Sequence, residues 1–328
     1  MRRFVVAIAC AALGIATALI FVPVCSRIVL HQPPGDLDGP EITRVADQEL
    51  DASGLSGLTR DGRGQLWSVA ERGGVLVAGL RRPEPAAPSS PRIIPVSGIP
   101  DDVELEAITW LGRSGAGQHF AIGTEGVCAG QLGQVLMVEV TGDPFDSSAS
   151  ASAHVREVID VPLSLWGAEC DARRGIEAIC HAAGQLMVGF EVPDRDDDGR
   201  RLARLARIDL SAQPRTITPL QLILTSDEGK LSSLDCWSAS GQGDAIEMIA
   251  IERHYRVSRL IRATAPARGP VAAPLSATVV RDLGLVTEDG LRNFEGLVQL
   301  AVGQVVLVTD NQRRRVRGPS EVIEVDLP

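Results

Sequence analysis

The chain has 328 residues, of which 45% are hydrophobic and 3% aromatic, and its formal net charge is −10. This length supplies a large apolar core, and the acidic balance argues against a nucleic-acid partner, which would require many cationic contacts to phosphates. The low aromatic content disfavours surfaces on which sugars or bases stack.

The first segment in chain order predicts export. Arg2 and Arg3 precede an uncharged apolar stretch over residues 4–24, which is long enough to span a bilayer. The arginines favour a cytoplasmic N-terminus, with the remainder in the periplasm or outside the cell. An uncleaved anchor is the favoured interpretation, and the alternatives are a cleaved signal or a lipoprotein site at Cys25. Residues 1–30 are therefore assigned to a signal or membrane anchor, the only expected membrane contact, and residues 31–40 to a spacer.

Residues 41–328 are assigned to one domain because a single pattern recurs in them five times. Each copy predicts a strand, a Gly-containing turn and a very apolar second strand that ends on an acid. The first strands carry similar four-residue strings, at 55–58 (LSGL), 105–108 (LEAI), 176–179 (IEAI), 231–234 (LSSL) and 294–297 (FEGL). The strings are 50 to 71 residues apart, which is typical of propeller blades with long outer loops and exceeds the repeat of most solenoids.

Two further strand-like runs follow in each copy except the last, which has one. The missing outer strand is predicted to come from residues 41–50, so that the two ends of the chain pair and close the ring. The sequence therefore predicts an all-β fold, a β-propeller of five four-stranded blades. Six blades are the alternative, if one long outer region holds another sheet.

Four cysteines lie in the part of the chain expected to be exported. An even number in an oxidising compartment predicts disulfides. Cys170 with Cys180 closes the shortest loop and is favoured, which leaves Cys128 for Cys236. Buried free thiols are the alternative.

The candidate chemistry lies in two columns of acids. The acids that close the second strands are expected at equivalent positions, near one mouth of a central channel: Glu71, Glu125, Glu191, Glu252 and Asp310. A second column lies in the first strands, with serine in the other two copies: Glu106, Glu177 and Glu295. Converging carboxylates repel one another, and raised pKa values, arginine partners or a bound cation relieve that repulsion.

A cation held by these two columns would be Ca²⁺ or Mg²⁺, because the ligands are oxygen atoms. The alternative is that the acids are structural and pair with arginines. Glu71, Glu252, Arg72 and Arg253 are the catalytic candidates, the acids acting with the cation and the arginines holding an anion. The string from Asp194 to Gly199 copies half of a calcium loop, but Leu205 stands where the closing Glu is needed, so a hairpin turn is favoured there.

Several of these strings resemble the phytase-like domain family, also described as "esterase-like activity of phytase". The resemblance covers roughly residues 50–315 and is carried by residues 55–58, 70–73, 105–108, 251–255, 293–297 and 308–311. It implies an exported, propeller-like protein with clustered acids and calcium-dependent phosphoesterase activity. Members often carry Asp where this chain has Glu71, so the metal geometry is expected to differ.

Three functions follow from this reading. The first is a divalent-cation-dependent hydrolase of phosphate esters in the cell envelope, with a small-molecule phosphoester or ester as its partner. The second is a non-enzymatic propeller that binds another envelope protein. The third is a lactonase-like or carboxylesterase-like hydrolase that uses the same acids on a different substrate.

Overall fold

A computed structural model of the chain describes residues 54–80, 91–115, 117–126, 132–146, 150–168, 175–239, 244–254, 257–283, 293–310 and 320–328, with the short strands at 42–45, 286–287 and 290–291. These residues are almost entirely β-structure, and a 3₁₀ turn at Leu163–Trp166 is the one helical element among them. None of their helices is long and apolar enough to cross a bilayer. The predicted signal or anchor and the spacer, residues 1–40, lie outside the described residues.

The first strand, β1, covers Ile42–Val45, and two antiparallel four-stranded meanders follow it. Meander 1 consists of β2 (Leu55–Arg60), β3 (Leu66–Ala70), β4 (Val75–Ala78) and β5 (Arg92–Ser97). Meander 2 consists of β6 (Val103–Ser114), β7 (Gly117–Gly126), β8 (Leu132–Thr141) and β9 (Ser152–Pro162). A short parallel pairing between β5 and β9 joins the two into an eight-stranded sheet.

Meanders 3 and 4 have the same plan with small additions. Meander 3 consists of β10 (Ile176–Ala182), β11 (Gln185–Phe190), β12 (Asp194–Arg195), β13 (Arg201–Asp209) and β14 (Thr216–Ile223). Meander 4 consists of β15 (Lys230–Ser238), β16 (Ala245–His254), β17 (Val257–Pro266), β18 (Leu275–Ser276) and β19 (Thr278–Asp282). In meander 4, β18 leaves the sheet of its neighbours and pairs with β14.

Meander 5 closes the ring with both ends of the chain. A two-stranded ribbon precedes it, and its sheet is ordered β22-β23-β24-β1. The bounds are β20 (Val286–Thr287), β21 (Gly290–Leu291), β22 (Asn293–Ala301), β23 (Gln304–Asp310) and β24 (Ser320–Asp326). Ile42 pairs with Ile323 and Val45 with Ser320, so the prediction that residues 41–50 supply the outer strand is confirmed.

The core consists of five apolar clusters, each between two neighbouring meanders. Ile94 and Ile122 belong to the cluster between meanders 1 and 2, for example, and Leu58 and Val306 to the one between meanders 5 and 1. The inner strands β2, β6, β10, β15 and β22 contact one another in that cyclic order, and β22 contacts β2. The fold is therefore an all-β propeller. We describe it by its five meanders, and the number of blades, five or alternatively six, stays a prediction.

Packing on both faces explains the very apolar second strands. All five residues of β3 and all six of β11 are buried, as expected for strands covered on both sides. The outer strand β9 instead alternates between buried and exposed positions along most of its length, because only its inward face meets a neighbour.

One disulfide is present among the described cysteines, and it corrects the predicted pairing. Cys180 on β10 is bonded to Cys236 on β15, with 5.6 Å between their Cα atoms. The predicted Cys170–Cys180 and Cys128–Cys236 bridges are therefore wrong. Loop length in sequence was a poor guide because two inner strands from neighbouring meanders lie side by side. Cys128 and Cys170 themselves lie outside the described residues.

Candidate functional site at the acidic channel mouth

Strand register defines five equivalent positions where the inner strands begin. In every meander, the first residue of the apolar string pairs with a residue near the end of the second strand. The pairs are Leu55 with Ala70, Leu105 with Thr124, Ile176 with Phe190, Leu231 with Glu252, and Phe294 with Thr309. The residue that follows each of these partners is equivalent in all five meanders. We call these five residues the mouth ring: Glu71, Glu125, Glu191, Arg253 and Asp310.

The mouth ring corrects the sequence alignment in meander 4. Arg253, rather than Glu252, occupies the equivalent position, because the second strand there is one residue out of step with the others. Neighbouring residues of a strand point to opposite faces, so Glu252 is directed away from the ring. Its fully buried carboxylate accepts hydrogen bonds from the Thr225 backbone N–H at 3.0 Å and from the Ser226 hydroxyl at 2.5 Å. Its predicted equivalence with the other four acids is therefore wrong.

The second acid column lies on β-bulges. In meanders 2 to 5 the register skips one residue of the inner strand, and in meander 1 it shifts between Ser56 and Thr59. The extra residues are Glu106, Glu177, Ser232 and Glu295, and all four are buried. A bulge re-aims the side chain of the extra residue, which brings these acids toward the mouth ring. Ser56 donates to Glu106 Oε2 at 3.1 Å and to its carbonyl oxygen at 2.6 Å.

Sequence reasoning missed a third set of positions, directly before each apolar string. Three of them carry side chains of the site, namely Glu104, Lys230 and Asn293. The other two are Gly54 and Gly175, where a larger side chain would clash with its neighbours. A Cβ at Gly54, for example, would lie 2.9 Å from Asp310 Oδ1. The signal was available, since these residues precede the repeated strings by one position and pair with the mouth ring, as Glu104 does with Glu125.

Two cations from meander 4 enter the acid cluster. Lys230, the single lysine of the chain, forms an ion pair with Glu191. Arg253 forms one with Glu295. Asn293 Nδ2 donates to Glu295 Oε1 at 2.8 Å and to Asp310 Oδ2 at 3.1 Å. Meander 4 thus partly neutralises one acid of meander 3 and one acid of meander 5.

Four buried or half-buried carboxyl groups of meanders 1 to 3 have raised pKa values. Burial, followed by repulsion from Asp310 and other acids, raises the pKa of Glu71 to about 9. Burial and the nearby Glu177 raise the pKa of Glu125 to about 8. Burial raises the pKa of Glu177 itself to about 7, although Lys230 opposes the shift, and burial raises that of Glu106 well above its usual range.

Oxygen donors gather in two groups that share Glu106. In one group, one oxygen from each of Glu71, Glu104 and Glu106 lies within 4.8 Å of the others, and in the second the same holds for Glu106, Glu125 and Glu177. Glu295 Oε2 is buried and has no hydrogen-bond partner among the described residues. The arrangement can hold a hard divalent cation, or it can keep protons on several of these carboxyl groups.

The remaining predicted residues lie at the edge of this site or away from it. Arg72 has a side chain that is 70% exposed, and its Nε is 3.7 Å from Glu104 Oε1, so it borders the mouth. Asp196 and Asp198 instead pair with Arg200, and the Asp196 N–H donates to the Arg200 carbonyl. The hairpin turn favoured for this segment is therefore confirmed.

No protein-family model and no curated protein matches the chain. It is similar in structure to the PQQ-bound aldose sugar dehydrogenase of Streptomyces coelicolor, with 11% identity, a TM-score of 0.43 and coverage of 90% of this chain and 100% of that one. For the α-L-arabinanase of Cellvibrio cellulosa the identity is 11%, the TM-score 0.44 and the coverage 87% and 96%. For virginiamycin B lyase of Staphylococcus aureus these values are 9%, 0.36, 87% and 99%. Likenesses this remote carry no argument about the activity of this chain.

Proposed function

We propose that this protein is a divalent-cation-dependent hydrolase of phosphate or carboxylic esters, with its reaction site at the acidic channel mouth. One observation carries the proposal. Among the described residues, eight carboxyl groups converge there and only two buried cations accompany them: Glu71, Glu104, Glu106, Glu125, Glu177, Glu191, Glu295 and Asp310, with Lys230 and Arg253. Uncompensated carboxylates at this density are costly unless protons or a metal ion neutralise them.

The residues present fit Ca²⁺ or Mg²⁺. Their donors are all oxygen atoms, the ligand type that these hard ions prefer, and Glu106 belongs to both donor groups. The unpartnered Oε2 of Glu295 is a further buried acceptor in the same cluster. Glu71, Glu104, Glu106, Glu125 and Glu177 would hold the ion, which when bound would polarise an ester oxygen and acidify a water molecule.

The protein's own groups can move protons at neutral pH. In the ion-free site Glu177 and Glu125 have pKa values of about 7 and about 8, so binding of the ion that they would help to hold would displace protons from them near neutrality. Arg72 is exposed beside Glu104 and can bind the anionic part of a phosphoester. Arg253 is less available than the sequence suggested, because it is paired with Glu295.

The phytase-like resemblance and the N-terminal segment belong to this proposal as well. Both place the reaction in the cell envelope, after export of the domain across the membrane. A carboxylic ester or lactone would need no anion-binding arginine, so dependence on Arg72 separates the phosphoester from the carboxylic-ester form of the proposal.

Calorimetric titration of Ca²⁺ and of Mg²⁺ into the full-length protein tests the cation site. We expect saturable binding that Glu106→Gln weakens by at least about tenfold, since it removes a carboxylate from both donor groups. Glu252→Gln is the matched control, because that buried acid lies outside the cluster, and it should bind the ion as the unaltered protein does.

Hydrolysis of p-nitrophenyl phosphate, phytate and p-nitrophenyl acetate, with and without the ion, tests the activity. Cation-dependent turnover that Glu106→Gln abolishes is the expected result. Binding without turnover of any ester would overturn the hydrolase and favour the non-enzymatic envelope-binding propeller. Absence of binding heat for both ions would remove the metal site itself.

A further inference from the structure

A second cavity lies where the inner strands end. It has a volume of about 630 Å³, and all five inner strands contribute to it through Arg60, Trp110, His181, Trp237 and Leu300 among others. The acids of the mouth ring and of the bulges stand near the beginnings of the same strands. None of the acids proposed to hold the cation lines this cavity, so it is a separate space at the opposite mouth of the channel.

The cavity is lined by two of the few tryptophans of the chain. Of four tryptophans in 328 residues, two line it, Trp110 and Trp237, and both are half-buried. Arg262 lies 6.0 Å from the centre of the Trp237 ring, a contact that helps to orient the indole. The other two tryptophans pack against phenylalanines elsewhere in the core. Two tryptophans in the lining of a cavity of this size are typical of small-molecule sites.

The charges around the cavity balance, in contrast to the acidic mouth. Arg60 and Arg262 are exposed at its edge. Asp235 and Glu247 also line the cavity and carry the opposite formal charge. Asp235 is engaged by the backbone N–H groups of Cys236 at 2.9 Å and Gln299 at 2.7 Å. His181 is held neutral, since burial lowers its pKa. The lining therefore offers both donors and acceptors without a dominant charge.

One hydrogen-bond donor of a residue that lines this cavity has no partner among the described residues. It is the indole N–H of Trp110, which is buried. Buried polar groups are normally paired, and the Trp110 backbone N–H already is, donating to Thr59 Oγ1 at 3.0 Å. Because the indole nitrogen is itself buried, the cavity is lined by other atoms of Trp110.

We propose that this second mouth binds a neutral saccharide, against the expectation from the low aromatic content, because two of the four tryptophans line this one cavity. A sugar ring has an apolar C–H face that packs on indole and a rim of hydroxyl groups that both donate and accept hydrogen bonds. Trp110 and Trp237 supply the aromatic surface, and His181, Arg60, Thr59 and Glu247 supply the polar contacts. An anionic ligand is disfavoured because Asp235 and Glu247 balance the two arginines. A cationic ligand is disfavoured by those arginines.

Indole N–H resonances of the full-length protein provide the test, because four tryptophans give four signals. Trp110→Phe and Trp237→Phe each remove one signal and so assign the pair. We expect D-glucose or maltose to shift those two signals saturably, with a dissociation constant of about 1 mM or tighter, and to leave the signals of Trp67 and Trp166 in place. Sorbitol, an open-chain polyol related to glucose, has no ring face and should cause no saturable shift.

Variants and an ionic probe decide between the outcomes. Trp237→Ala should weaken maltose binding by about tenfold or more, whereas Trp166→Phe, outside the cavity, should not change it. Shifts produced by benzoate and by neither sugar would overturn the proposal in favour of an aromatic anion. Absence of any saturable shift with the sugars would overturn it outright. Neither result bears on cation binding at the acidic mouth.

Discussion

The two mouths of the channel are built from the same five strands and differ in almost every physical property. Where the inner strands begin, bulges and strand ends bring acids together, and their pKa values rise because burial and mutual repulsion act in the same direction. Where the strands end, the charges balance and two tryptophans line a cavity. One repeated backbone therefore has two chemically different ends. The difference lies in a few side chains at each end of the strands.

Within the acidic mouth, meander 4 differs from the other four meanders. It contributes Lys230, Arg253 and Ser232 at positions where its neighbours carry mainly acids or glycine. The cluster is therefore asymmetric, because the two cations that form ion pairs with its acids both come from meander 4.

Removal of the Arg253 cation should have the largest effect. Arg253→Met leaves the buried Glu295 without its charge partner, and breaking a buried ion pair in this way costs about 3–5 kcal/mol. Urea unfolding of the full-length protein measures the loss. Glu295→Gln in the same protein should recover part of it. Equal stability of the single and double variants would mean that the two side chains do not interact as the structure places them.

Removal of the disulfide should have the next largest effect on stability. Of the two mouths, it should affect only the second. Cys180 and Cys236 are 56 residues apart in sequence, and a bridge that closes a loop of this length contributes about 3–4 kcal/mol. Cys180→Ser with Cys236→Ser should lower the melting temperature and weaken saccharide binding, because Cys236 lies in the cavity wall. Calcium affinity should stay unchanged, and a parallel loss of both affinities would contradict the independence of the two mouths.

Stability without divalent cations should depend on pH with a defined sign. The pKa values of about 9, 8 and 7 for Glu71, Glu125 and Glu177 exceed the usual value of 4.5, so the folded protein binds more protons than the unfolded chain between these limits. This stabilisation is complete below pH 4.5 and is lost as the pH rises through 7 to 9.

We expect a loss of about 2–3 kcal/mol, after allowance for solvent screening at the two half-buried acids. Chemical unfolding in EDTA, followed from about pH 5 to about pH 9, measures it. Saturating Ca²⁺ should flatten the curve, because the ion replaces the protons. Stability that rises with pH in EDTA would show that these acids are ionised in the fold.

The smallest effect is expected at Glu252. Glu252→Gln weakens the hydrogen bonds from Thr225 and Ser226 and should cost about 1–2 kcal/mol without changing calcium binding. A loss of calcium affinity comparable to that of Glu106→Gln would restore Glu252 to the cluster and contradict the strand register.

Much of the architecture followed from local patterns. The five strings at 55–58, 105–108, 176–179, 231–234 and 294–297 mark inner strands because alternation and turn residues act over short stretches. The very apolar second strands were also recognised in the sequence, and the structure adds the reason, which is burial on both faces. The closing role of residues 41–50 followed from counting strands, since a ring cannot leave an edge exposed.

Tertiary structure decided what sequence spacing could not. A bulge or a one-residue shift moves a side chain to the other face of a sheet. For this reason Arg253, and not the predicted Glu252, belongs to the mouth ring. Cys180 is bonded to Cys236, and Trp110 and Trp237 line one cavity, because ring closure brings inner strands together that are far apart in the chain. The repeated pattern of the sequence thus determined that the strands form a propeller. Which side chains share a mouth was decided by the register between strands and by closure of the ring, because those contacts join residues far apart in the chain.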